Sequence, residues 1–161
     1  MSKPISQILR LYAALEQLDY LPRLVARLCV GLMFFGGALH KAANLNDFVM
    51  YFQSLNIPAA AIQAPFVVGV EFLGGLALML GLFMRPAAVM LAGTMVVAIL
   101  TAAIPEHKIH ANWKGLLDFL YLPELLLLLL LGWLAVAGAG RASLDYILRQ
   151  RFAGKAGPDK R

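Results

Sequence analysis

Four ionisable residues stand where chemistry could be done: His40, Lys41, Glu71 and Glu124. Glu71 is the most conspicuous. It is the one charged group in PFVVGVEFLGGLALMLGLFM, residues 65–84. Twenty such residues span roughly 30 Å as a helix, the thickness of a bilayer core. A carboxylate there costs about 2.5–3.5 kcal/mol or more unless something meets it. His40 and Lys41 close the preceding apolar run, and Glu124 opens the last one. Lys41 and Glu71 are the candidate catalytic pair. Tyr51, Tyr121 and Trp113 are expected to line the same mouth, so the candidate ligand-binding set is His40, Lys41, Glu71, Glu124, Tyr51, Tyr121 and Trp113. The pattern fits two readings. One is a Lys–Glu pair that holds two helices in register with no substrate. The other is a site for a small ligand, a quinone head group or a proton.

The elements that must position these groups are membrane helices. The chain has 161 residues, 61% hydrophobic and 14% charged, against about 45–50% and about 25% in soluble domains. The expected fold is all-α: a four-helix transmembrane bundle with N- and C-terminal amphipathic interfacial helices. The divisions are 1–21 for the first surface helix, 22–140 for the membrane domain, and 141–161 for a second amphipathic helix and a disordered basic tail. The spans are expected at about 22–43, 65–84, 87–104 and 116–138. Arg23 and Arg27 are expected to snorkel to the interface. A short amphipathic helix is expected near 45–55. Pro65 suits the first turn of span two, Arg85-Pro86 its end, and Pro105 the end of span three. Thr94 and Thr101 can bond back to their own helix. The fourth span starts either at Pro123 or near Leu116, and the second choice kinks it at Pro123.

Four spans put both termini on one side. Of the 14 Lys and Arg residues, only Lys41, Lys108 and Lys114 fall on the other. The positive-inside rule then places both termini in the cytoplasm. The net charge of +5 is read as topology and lipid contact, so the lipid bilayer is the expected partner and nucleic acid is not. Cys29 stands alone, which excludes an intramolecular disulfide or dithiol chemistry; it reads as a small core residue. His40, His107 and His110 share a side, but two loop histidines are more often solvated, and no metal site is assigned. No phosphate loop, GxGxxG, haem-attachment or nucleophile-elbow motif occurs.

Glu71 shares a helical face with Gly74 and Gly75, which let another helix come close. The pieces RLCVGLMFFGGALHKA (27–42), IP (57–58), VEFLGGLALMLGLFMRPAA (70–88), VVAILTA (96–102) and GAGRASLD (138–145) occur in an order that resembles the DoxX family of small four-span bacterial membrane proteins. The resemblance covers roughly residues 22–147. It implies a four-helix bundle in the bacterial inner membrane. It also implies a link to membrane redox systems, since the family takes its name from a subunit of a thiosulfate:quinone oxidoreductase. Lys41, Glu71, Ser143 and Asp145 fall on the family's motif positions. The leading expectation is a subunit of a membrane redox system that meets quinone or a redox partner, an oxidoreductase subunit with no cofactor motif of its own. The alternative is a non-catalytic anchor or assembly partner of a stress-response or metal-stress complex. A protein partner or homo-oligomer is expected in either case.

Overall fold

The computed structural model describes residues 20–140 and 142–153, and among them the chain is all helical with no strand. The proposed N-terminal surface helix lies outside the described residues. Helix α1 (Tyr20–Ala43) is followed by the short α2 (Leu45–Ser54) and by α3 (Ala60–Leu80). Helix α4 (Met84–Ala98) runs on through a π-helical stretch, Ile99–Ala103, to a last turn at Ile104–Glu106. Then come α5 (Trp113–Leu120), α6 (Pro123–Ala137) and α7 (Leu144–Ala153). Helices α1, α3 and the continuous Met84–Glu106 are long and apolar enough to cross a membrane. The α5–α6 pair, bent by 61°, makes a fourth crossing if it counts as one span.

The bundle is two helix pairs joined in the middle. α1 packs on α3, α4 packs on α6, and α3 meets α4. Val30, Phe34, Leu78, Met84, Leu91, Leu131 and Leu134 form the central core. Leu32, Phe66, Val89, Leu129 and Val136 point outward and are largely exposed, as side chains facing lipid tails must be.

Two glycines set the α1–α3 distance. A Cβ on Gly75 would lie 2.7 Å from the backbone nitrogen of Phe35 and 2.8 Å from the carbonyl oxygen of Gly31. Only a hydrogen fits at that crossing. Gly74, the other glycine on the Glu71 face, packs against Leu91 of α4 instead.

Several local expectations are corrected. Pro65 lies inside α3, not in its first turn. The helix starts five residues earlier because Ala60 and Ala64 bury themselves against Phe52 of α2, which offsets the hydrogen bond that proline removes. Arg85-Pro86 opens α4 rather than closing α3. The turn before it is made by Gly81 (φ +64°) and Phe83 (φ +48°). Pro105 lies in the last turn of its helix, which ends one residue later at Glu106. The N–H of Ile104 donates to the carbonyl of Ile99, and this wider π spacing makes room for a ring that would strain an α turn. Pro123 occupies the first turn of α6, and Leu122 before it is extended (ψ 125°), as a residue preceding proline prefers. That is the origin of the 61° bend. The Thr94 and Thr101 hydroxyls donate to their own helix, at Leu91 (2.7 Å) and Val97 (2.8 Å).

Arg27 does not snorkel. It is buried, and its Nη1 and Nη2 donate to the carbonyls of Ala139 (2.8 Å) and Ala142 (2.7 Å). The carboxylate of Asp145 accepts from the N–H groups of Phe83 (2.9 Å) and Met84 (3.1 Å), capping α4. Ser143 is buried beside Gly81, where a Cβ would stand 2.6 Å from its own Cβ. Ser143 and Asp145 therefore fasten the start of α7 to the α3–α4 turn. Cys29 is exposed on α1 and is not part of the core.

Candidate functional site

Lys41 sits in the last turn of α1, and Glu71 lies midway along α3. The close Gly31–Gly75 crossing brings the antiparallel pair near enough for a direct contact. The Lys41 ammonium donates to both Glu71 oxygens, each at 2.7 Å. The Glu71 side chain is 4% exposed and that of Lys41 32%. The carboxylate is thus inside the bundle while the ammonium reaches it from the rim. Lys41 Nζ also stands 5.1 Å from the centroid of the Phe48 ring, a cation–π contact.

Helix α2 covers this end. The Phe48 and Phe52 rings meet at a tilt, centroids 4.6 Å apart, and seat α2 on the start of α3. One turn on, the Tyr51 hydroxyl donates to Glu106 Oε1 at 2.7 Å. This bond ties α2 to the far end of the third span. Desolvation, then the hydrogen bond and negative charge of Glu106, with a further push from Glu124, raise the Tyr51 phenol to about 12. The phenol is therefore a donor at neutral pH.

Beneath α2 lies a cavity of about 730 Å³, bounded by residues of α1, α2, α3, α4 and α6. This volume suits a small organic molecule. Its polar wall holds Lys41, Tyr51, Glu71, Glu106, His107 and Glu124, and its apolar wall includes Phe34, Phe48, Val70 and Leu127. Gly37 and Gly93 also line it, and a Cβ on either would meet nothing within 4 Å. Glu124 Oε2 is buried without a hydrogen-bond partner. An unmet carboxylate oxygen is costly, and here it belongs to a residue of the cavity wall.

Of the residues singled out from sequence, Lys41, Tyr51, Glu71 and Glu124 come together around this space. His40, Trp113 and Tyr121 do not line it. His40 follows Leu39 on the outer surface of α1, one helical step from Lys41 and so about 100° away around the axis. Trp113 is 74% exposed and Tyr121, in the break between α5 and α6, is 83% exposed. Glu106 and His107 also line the cavity, which the sequence does not signal, because Pro105 reads as a helix end. The π-helical stretch carries Glu106 into position opposite Tyr51. Among the described residues no group of three or more His, Cys, Asp or Glu side chains could hold a metal ion.

Comparison with known proteins places these residues in a family. The DoxX family model matches residues 23–104, a stretch that includes Lys41 and Glu71 and ends before Glu106 and Glu124. The chain is 30% identical over 122 residues to "Putative oxidoreductase CatD" of Bacillus subtilis (strain 168), covering 76% of this chain and 83% of that one. It is 26% identical over 139 residues to "Inner membrane protein YqjF" of Escherichia coli (strain K12), covering 86% of this chain and all of that one. No solved structure matches. With more than half of its length matched by the family model, and its helices long and apolar enough to cross a bilayer, the chain is a membrane protein of the DoxX family.

Proposed function

We propose that this protein is the quinone-binding subunit of a redox system in the bacterial inner membrane, with both termini in the cytoplasm. One observation carries the reading: a cavity of about 730 Å³ whose wall contains the Lys41–Glu71 pair and the unpartnered oxygen of Glu124. An apolar cavity with a few convergent polar groups is the usual form of such a site. The names of the two relatives, "Putative oxidoreductase CatD" and "Inner membrane protein YqjF", support the same reading.

A bound quinone supplies two-electron, two-proton redox chemistry. The protein's own share is to bind, orient and exchange protons. An ammonium has three donors, and Glu71 takes two of those of Lys41. The third can hold a quinone carbonyl. Glu71, buried and in contact with that ammonium, is the proton-exchanging group. Phe34 and Val70 give the ring an apolar seat. Electrons arrive through a protein partner.

Titrating purified protein with a short-chain benzoquinone tests this. Saturable binding at one site per chain is expected, weakened at least about tenfold by Glu71→Gln while unfolding remains cooperative. Absence of saturable binding would overturn it.

The bidentate closure of the Lys41–Glu71 pair favours a second reading, a non-catalytic anchor in which the pair only fixes helix register. That reading predicts no quinone binding and a loss of stability when either partner of the pair is replaced.

A further inference from the structure

We infer that the cavity selects a membrane-borne molecule whose head group donates hydrogen bonds, and that Glu124 is the residue that receives the donor. Under the quinone reading, on which this inference rests, the preferred form is the hydroquinol rather than the quinone.

The argument is an inventory of donors and acceptors. Three carboxylates, one ammonium and one imidazole line the cavity: Glu71, Glu106 and Glu124 with Lys41 and His107. Glu71 is closed on both oxygens by Lys41. Glu106 Oε1 receives the hydroxyl of Tyr51. Glu124 Oε2 has no donor. The wall therefore has an acceptor to fill, and its formal charge is negative. A carbonyl head group brings only lone pairs to that carboxylate, whereas a hydroxyl brings the missing proton donor. The terminal torsion of a glutamate is soft, so a small rotation presents the oxygen to a head group in the cavity.

The apolar remainder of the ligand has a route as well. Met33, Phe66 and Met90 line the cavity and are also 59%, 67% and 54% exposed on the outside of the bundle. The cavity wall is thus continuous with the surface that faces lipid. A tail can leave between these side chains while the head stays beside Glu124.

The test is equilibrium binding of a matched pair, a short-chain benzoquinone and its hydroquinol, to the full chain in mild detergent without oxygen. A third ligand, the dimethyl ether of the hydroquinol, keeps the ring and tail and lacks both O–H donors. The hydroquinol should bind roughly tenfold more tightly than the quinone, the scale set by filling one buried charged acceptor. The dimethyl ether should lose that advantage. Glu124→Gln, which offers a donor of its own, should bring the hydroquinol-to-quinone ratio near one. Equal or tighter binding of the quinone by the unaltered protein would overturn this inference while leaving quinone binding intact. So would a dimethyl ether that binds as well as the hydroquinol, or a ratio unmoved by Glu124→Gln. Binding of none of the three would overturn this inference and the quinone reading together. The three-ligand series on the unaltered chain decides even if the Glu124→Gln chain does not assemble.

Discussion

The Lys41 ammonium lies 2.7 Å from each oxygen of Glu71, yet the two ends of the pair are unequally buried, 32% exposed for Lys41 against 4% for Glu71. Removing one end is therefore not equivalent to removing the other. Lys41→Met leaves a carboxylate inside the bundle with no cation, a change in the class that costs about 3–5 kcal/mol. Glu71→Gln leaves an ammonium that can turn toward the rim, and its cost should be nearer 1 kcal/mol. The double variant should be more stable than the sum of the two losses implies. Chemical unfolding of the four proteins in one detergent measures all three values. Equal costs for the two single variants would contradict the asymmetry.

The glycines of α1 and α3 give a second prediction. Gly75→Ala places a methyl against backbone atoms of Phe35 and Gly31 at 2.7–2.8 Å. Backbone cannot step aside, so this variant should lose about 1–3 kcal/mol and melt about 2–4 °C lower for each kcal/mol lost. Gly93→Ala, whose Cβ meets nothing within 4 Å, should be neutral or gain about 0.5–1 kcal/mol from helix propensity. Thermal melts compare the two directly.

How far the sequence foretells the structure follows from the same physics. Glu71 was legible because one carboxylate in a long apolar run demands a partner, and Lys41 was legible because consecutive spans pack antiparallel. The short helix over Leu45–Ser54 also follows from its apolar spacing. Arg27 was not legible. An arginine near the end of an apolar run is ordinarily drawn to water, and only the tertiary fold brings two free carbonyls, those of Ala139 and Ala142, to its guanidinium. Glu106 was missed for a local reason. Pro105 is a helix stop in sequence, and the π spacing that absorbs it is fixed by packing, with Ile99 and Ala103 buried against Leu122. His40, Trp113 and Tyr121 share a side of the membrane with Lys41 in the sequence pattern, and a shared side does not fix a shared direction.

Asp145 supplies a third prediction. Its carboxylate caps α4 through the N–H groups of Phe83 and Met84, and Gly81 accepts from its own N–H at 3.0 Å. Asp145→Ala should cost about 1–2 kcal/mol, the range for a lost cap, and should leave quinone binding unchanged because the cavity does not include it. Unfolding and binding measured on one preparation separate the two effects.

Tyr51 gives a pH dependence. Its phenol is pushed up to about 12 from an ordinary value of 10.0. The folded protein therefore holds this proton more tightly than the unfolded chain does. Its contribution to stability is fully present below pH ~10 and is lost as the pH rises through about 12. The phenolate absorbance difference between the unaltered protein and Tyr51→Phe should develop near pH 12. A difference band centred near pH 10 would show that the bond to Glu106 does not hold the proton.

The central claim, that the cavity beside Lys41 and Glu71 is where a quinone binds, is tested most directly by two neighbouring glycines. A Cβ on Gly36 or on Gly37 meets nothing within 4 Å, but only Gly37 lines the cavity. Each is replaced by leucine, and binding of a short-chain benzoquinone is measured beside the unaltered chain. Gly37→Leu puts an isobutyl group into the cavity and should weaken saturable binding, while Gly36→Leu, facing outward, should bind as the unaltered protein does. Equal binding by the two variants would contradict the assignment of the site.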